Sequence, residues 1–290
     1  MNGTQKRLVL EANKRALALR QAQGLGIYNP VSIYSVVENL GIEVRFTDMP
    51  SLEGMYVRQP GPLITISSHR PRGRQSFTCA HELGHHVFAH GMRMDQALGR
   101  PYAQGVADSE EFVVDCFAGL FLMPKTAVGR AFTERGWTIP SCNPDEAYRI
   151  AELFGVGYTT LITHMHVMLK LVSASHADQL QRVTPKEIQS DMLGEDVDGH
   201  VIPVDLHWQG RPIDLQVNDF VVLPDGVTVE GMCVRVEQVD ETRTILSGRR
   251  PGLGRLSHPT TGWSAFVRVS RRNYVGRAMY RYLEDPDYEE

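Results

Sequence analysis

The sequence predicts a multidomain α+β protein, and three observations carry that expectation. Its 290 residues pass the length, roughly 250, beyond which chains usually split into several cores. Helical and strand-like patterns alternate over positions 1-136. A turn-rich hinge, Pro140-Ser141-Cys142-Asn143-Pro144, then leads into a pair of short helical patterns and a long stretch of strands punctuated by glycine. The expected parts are a first domain over 1-136, a helical domain over 137-185 and a third domain over 186-290.

Taken in order, Gln5 to Gln23 carries an apolar stripe at helical spacing and ends at Gly24-Leu25-Gly26. Pro30-Val31 opens a second helix that Gly41 stops. Ile42 to Phe46, Gly54 to Arg58 and Leu63 to Ser67 are rich in β-branched and aromatic residues and read as strands. Helices are expected over about Gln75 to His90 and over Ser109 to Leu122, the second ended by Pro124. Pro144 to Phe154 and Tyr158 to Leu171, split by Gly155-Val156-Gly157, have a helix-turn-helix shape. Ser173 to Ser190 is polar and reads as a linker with some helix. Residues 197-282 read as short strands of a mainly β or α/β unit.

Composition excludes little but does exclude something. With 42% hydrophobic and 22% charged residues and a formal charge of −4, the chain is neither disordered nor polyanion-binding by bulk charge. The N-terminal stretch lacks an apolar signal core, and the richest uninterrupted apolar run, Phe117 to Met123, is too short to span a bilayer. Cys79, Cys116, Cys142 and Cys233 form no Cys-x-x-Cys pair, which fits free thiols in a reducing compartment. A cytoplasmic protein without membrane attachment is the expectation.

The chemistry is concentrated in His81-Glu82-Leu83-Gly84-His85. Residues i and i+4 of a helix lie about 40 degrees apart and one turn up, so two imidazoles can address one cation. Glu82, one step round, can take a proton from water as a general base for attack on a peptide carbonyl. Gly84 is costly inside a helix and points to close approach by another backbone there. A catalytic zinc takes a third protein ligand and keeps a fourth position open. Glu111 is the expected third ligand, with Glu110 its rival; Asp115, one turn on, would accept a proton from a ligand imidazole and hold its tautomer. An acidic first turn favoured by the helix dipole explains the same carboxylates without metal. His86 and His90 fall off the face of His81 and His85, so neither is expected to be a ligand. Tyr102, His164 and His166 are candidates for an oxyanion donor.

The stretch Phe77-Thr78-Cys79-Ala80-His81-Glu82-Leu83-Gly84-His85-His86, with Glu111-x-x-x-Asp115-x-Phe117-Ala118 and Leu120-Phe121-Leu122-Met123-Pro124, resembles the ImmA/IrrE family of bacterial metallopeptidases. So do the Pro30-Val31 helix and Leu40-Gly41-Ile42-Glu43-Val44. The likeness runs over roughly residues 28 to 170. It implies an N-terminal gluzincin-like zincin domain, a helix-turn-helix-like helical domain and a GAF-like α/β sensor domain able to receive a small-molecule signal. It also implies a zinc endopeptidase, with manganese as an alternative metal, that cleaves a DdrO-like helix-turn-helix transcriptional repressor after DNA damage. Where the family usually has Asn at the end of the strand before the motif helix, this chain has Ser67 and Ser68. Where it has a small residue before the Asp of the second motif, this chain has Val114.

Two other functions compete. The helix-turn-helix shape suggests a DNA-binding regulator, but Ser141 to Val172 holds Arg149 and Lys170 against Asp145, Glu146 and Glu152, whereas a phosphate-reading head should be basic. Arg243 to Tyr282 carries nine arginines and no Asp or Glu, which suits nucleic acid, an acidic surface or a solvated face equally well. The third reading is a ligand-sensing module whose metal is only structural.

Overall fold

The computed structural model describes residues 2-90, 93-96, 109-209, 211-239 and 241-284, with the backbone alone described over 93-96. The chain divides into two compact units, Met1–Arg182 and Val183–Glu290. The helix pair at 144-167 therefore belongs to the first unit.

That unit opens with α1 (Gly3–Ala22), capped by Asn2, whose side chain accepts from the Gln5 backbone while Gln5 answers in kind. This reciprocal pairing satisfies two of the free donors at a helix start. Next come α2 (Ile33–Asn39) and the strands β1 (Glu43–Thr47), β2 (Leu52–Val57) and β3 (Leu63–Ser67). β3 pairs with β1 in parallel and with β2 antiparallel; β2 in turn pairs antiparallel with β4 (Arg93–Gln96). α3 (Arg72–Val87) lies against β2 and β3 on one side and α4 (Ser109–Leu122) on the other, and α4 also packs against α1.

α4 is the centre of the core. From Phe112 to Leu122 every residue is buried except Asp115. Such a helix is apolar all round because it is covered all round. Averaged over 18 residues, the segment Ser109–Glu134 has a hydropathy of 1.5, enough for a membrane span by length and composition, yet 78% of that window is buried inside the protein. The C-terminal end of α4 is tied to α1 by Arg20, wholly buried, whose Nη1 donates to the Phe121 carbonyl at 2.6 Å while its other nitrogens reach the Gly26 and Asn29 carbonyls. Burial lowers this guanidinium to about 10, and the ring of carbonyl acceptors keeps the cation satisfied.

After Pro124 the chain forms α5 (Lys125–Glu134), α6 (Pro144–Phe154), α7 (Tyr158–Val167) and α8 (Ala174–Gln181). α6 starts in a capping box between Asn143 and Glu146 and ends at Gly155 with φ 64°, the left-handed conformation glycine adopts cheaply. The turn that follows is pressed onto the motif helix: a Cβ on Gly73 would lie 2.4 Å from the Gly157 nitrogen. Tyr158 donates to the Leu180 carbonyl and His164 to the Met123 carbonyl. The helix pair is built into the unit by these contacts.

The second unit begins with α9 (Pro185–Leu193), capped by Thr184 and Glu187. Together α8 and α9 occupy much of the stretch expected to be linker. Strands β5 (Val201–Pro203), β7 (Phe220–Pro224), β10 (Arg243–Gly248) and β9 (Val234–Val239) form one four-stranded sheet; β6 (Ile213–Gln216), β12 (Ser264–Ser270), β11 (Gly252–Ser257) and β8 (Thr228–Glu230) form another. Of the two expectations, mainly β or α/β, the first describes it: among the described residues no α-helix follows Leu193.

Candidate metal centre

The motif helix α3 has no side-chain cap at its start and is fixed by packing instead. Phe77, Cys79, Ala80 and Leu83 are buried, and with them His81, Glu82 and His85. Two glycines permit this. A Cβ on Gly84 would stand 2.9 Å from Val114 Cβ, and one on Gly54 would stand 2.4 Å from Thr78 Cγ2 and 2.6 Å from Glu82 Oε1. The close approach at Gly84 is made by a side chain of α4, not by the second backbone that a helical glycine suggests. Val114, the departure from the family's small residue, occupies that space.

His81, His85 and Glu111 come together. Their ligand-type atoms all lie within 4.8 Å of one another. His81 Nε2 is 3.1 Å from Glu111 Oε2 and 3.2 Å from His85 Nε2, and His85 Nε2 is 3.6 Å from Glu111 Oε1. The two imidazoles hold the Glu111 carboxyl far below the usual carboxylate range, the hydrogen bond with His81 contributing most and that with His85 next, against burial, which raises it. Glu110 is not a member of this group. Two imidazole nitrogens and a carboxylate, borne by two packed helices and only partly covered at Glu111, are a donor set that fits a divalent cation such as zinc.

On its other ring nitrogen, His81 Nδ1–H donates to Asp115 Oδ1 at 2.9 Å, since an ionised carboxylate can only accept. Nε2 is the nitrogen turned toward Glu111 and His85, and it presents a lone pair there once a cation takes the place of the proton shared with Glu111. Glu111 and Asp115, four residues apart, therefore address opposite nitrogens of one ring.

The remaining histidines are distributed by the way α3 ends. Phe88 caps the helix, Ala89 turns left-handed at φ 59°, Ala89 N–H bonds to the His86 carbonyl at 3.1 Å and His90 N–H to the His85 carbonyl at 3.0 Å. This double closure is the Schellman arrangement, here with alanine where glycine is usual. Because the helix stops short of His90, this residue does not fall where continued helical spacing would put it, away from the cluster. His90 Nδ1 lies 3.1 Å from His85 Nδ1. His86, by contrast, faces β2 and meets the Tyr56 hydroxyl at 2.7 Å through Nδ1; burial and then the nearby Arg58 charge lower it.

Among the suggested oxyanion donors, His164 is wholly buried on the Met123 carbonyl and His166 bonds to the Val172 carbonyl at 3.1 Å. Tyr102 lies outside the described residues. All four cysteines are buried free thiols, and burial pushes Cys142 and Cys233 up to about 11. In the basic run of the second unit, Arg268 pairs with Asp214 through two nitrogens at 2.6 and 2.9 Å, and Arg272 pairs with Asp198. The acidic partners missing from that run come from upstream in the chain.

The fold and the cluster define a class: an α+β unit presenting a His-His-Glu metal-binding group from two buried helices. Residues 37–164 match the family model described as the IrrE N-terminal-like domain, a peptidase family. The matched segment contains every member of the cluster, so the likeness to that peptidase family includes the candidate metal centre. No curated protein matches. Among solved structures, a Mycobacterium tuberculosis transcriptional regulator aligns at 15% identity with a TM-score of 0.34, over 55% of this chain and 46% of that one. The chain thus spans less than half of that regulator's length, and the likeness is too slight to carry an argument.

Proposed function

We propose that the chain is a zinc-dependent endopeptidase in which His81, His85 and Glu111 hold the metal, Glu82 is the general base and Asp115 fixes the His81 tautomer. The observation that carries this reading is the convergence of three ligand-type atoms within 4.8 Å, two of them on the helix that bears Glu82 and the third on α4 packed beside it. Zinc when bound supplies Lewis acidity that polarises a peptide carbonyl and acidifies water, and manganese suits the same donors. Glu82 takes the proton from the attacking water as its oxygen bonds to the carbonyl carbon, and returns that proton to the leaving amine nitrogen as the C–N bond breaks. Asp115 keeps the His81 proton on Nδ1 throughout.

The substrate we infer is a helix-turn-helix transcriptional repressor of the DdrO kind, cleaved at one site in a DNA-damage response. The additional second unit favours a protein like IrrE (PprI), the radiation and desiccation regulator of Deinococcus, acting in the cytoplasm. The three-part division at 136 and 185 belongs to the same proposal, with the last part as a GAF-like sensor. A packing role for α6 and α7 is favoured over DNA reading by the contact of Gly157 with Gly73 and by the net acidic charge of that pair.

Incubation of the purified chain with such a repressor and Zn²⁺ or Mn²⁺, beside Glu82→Gln, tests the reading. Cleavage by the wild type alone is expected. Cleavage by both proteins, or by neither with either metal, overturns it.

A further inference from the structure

Asp115 accounts for the proton on His81, but the same question arises for His85. A neutral imidazole carries one N–H, and an Nε2 that is to give its lone pair to a cation beside Glu111 requires that proton to sit on Nδ1. A buried Nδ1–H needs an acceptor. His85 is wholly buried, and His90 Nδ1 stands 3.1 Å from His85 Nδ1 with the rings at 63°.

The end of α3 delivers that nitrogen. Had the helix continued, His90 would have been carried well round from His85. Instead Ala89 adopts φ 59°, a conformation that costs an L-residue energy, and the closure bonds the His90 backbone N–H to the His85 carbonyl. His90 is thus joined to His85 twice, by main chain and by ring.

We propose that His90 is a positioning residue for His85: its Nδ1 accepts from His85 Nδ1–H, fixing the tautomer that frees Nε2 for a divalent cation. His90 then carries its own proton on Nε2. The two imidazoles of the centre are held by different means, His81 by a carboxylate and His85 by a neutral nitrogen. This rests on the metal-site reading above.

The test measures Zn²⁺ affinity of the full chain by competition with a chromophoric chelator, for wild type, His85→Ala, His90→Leu and His90→Asn. The asparagine Oδ1 can take the place of the accepting nitrogen; leucine cannot. Wild type should bind, His85→Ala should lose binding, His90→Leu should weaken it on the order of 10–100-fold, and His90→Asn should return most of the affinity. Unchanged affinity in His90→Leu, or equal losses in the leucine and asparagine variants, overturn the role of His90 while leaving the metal site standing. Absent binding by the wild type, or full binding by His85→Ala, overturns the metal-site reading, and the inference falls with it.

Discussion

Gly84 of α3 and Val114 of α4 interlock with no room for one more carbon: a Cβ at Gly84 would meet Val114 Cβ at 2.9 Å, Val114 Cγ1 at 3.1 Å and Phe117 Cδ1 at 3.3 Å. The two helices supply all three members of the metal-binding group, so their separation sets the spacing of the ligands. Gly84→Ala gains about 1 kcal/mol of helix propensity but forces overpacking that costs roughly 1–3 kcal/mol. Urea unfolding should show net destabilisation, together with weaker zinc binding. Val114→Gly removes both contacts with Val114, so the double variant should show a favourable coupling energy. Simple additivity of the two single changes would contradict this interlock.

Asp115 is the one residue between Phe112 and Leu122 that is not buried, and it accepts from His81 at 2.9 Å. Asp115→Asn presents an amide that can donate to Nδ1 and so favours the wrong tautomer. Zinc affinity should fall on the order of 10–100-fold, with unfolding stability of the metal-free chain changed far less. Equal affinity in wild type and variant would assign Asp115 to the surface alone.

The parts of this site that are legible in the sequence are those that depend on fixed helical spacing. His81 and His85 stand one turn apart, as do Glu111 and Asp115, and a helix leaves i and i+4 on one face, so the sequence alone groups each pair. The bounds of α4 and α6 are legible for a related reason: Pro124 stops one, and Asn143-Pro144 with Glu146 starts the other. The place of His90 is not legible. The left-handed residue that ends α3 is Ala89 where glycine would have announced it, so the pattern reads as helix for three more residues than it is. The neighbour of Gly84 is equally hidden, since a glycine announces a close approach without saying what approaches. The region that reads as linker contains its own signals, Ser173 capping α8 and Thr184-Pro185 opening α9, but its polarity outweighs them.

His164 predicts an acid sensitivity unconnected with the metal. Burial pushes the ring down to about 4 from 6.5, against a smaller opposing effect of its bond to the Met123 carbonyl. A base whose folded pKa is depressed binds more protons unfolded than folded between those two values. Its contribution is therefore intact above pH 6.5 and is lost as pH falls toward 4, in all about 3 kcal/mol and about 2 kcal/mol by pH 5. His164→Gln can still donate to the carbonyl but does not titrate. The metal-free variant, unfolded in urea at pH 7 and pH 5, should lose about 2 kcal/mol less across that interval than the wild type. Identical losses would mean that His164 is accessible to protons in the folded chain.

Gly54 offers a way to move the proposed base without touching a ligand. It lies on β2, and a Cβ there would fall 2.4 Å from Thr78 Cγ2 and 2.6 Å from Glu82 Oε1. Glu82 is completely buried, so its carboxylate cannot swing into open solvent to escape. Gly54→Ala should shift it by a substantial fraction of an ångström, and displacement of a reacting group by about 1 Å can cost roughly 100-fold in rate. His81, His85 and Glu111 are not in that contact, so zinc affinity should stay within a few-fold of wild type. Gly61→Ala, where nothing lies within 4 Å of the added carbon, is the control and should leave both quantities alone. A Gly54→Ala variant that binds zinc and cleaves at the wild-type rate would show that the position of Glu82 against β2 does not govern the reaction, and the general-base role would have to pass to another group.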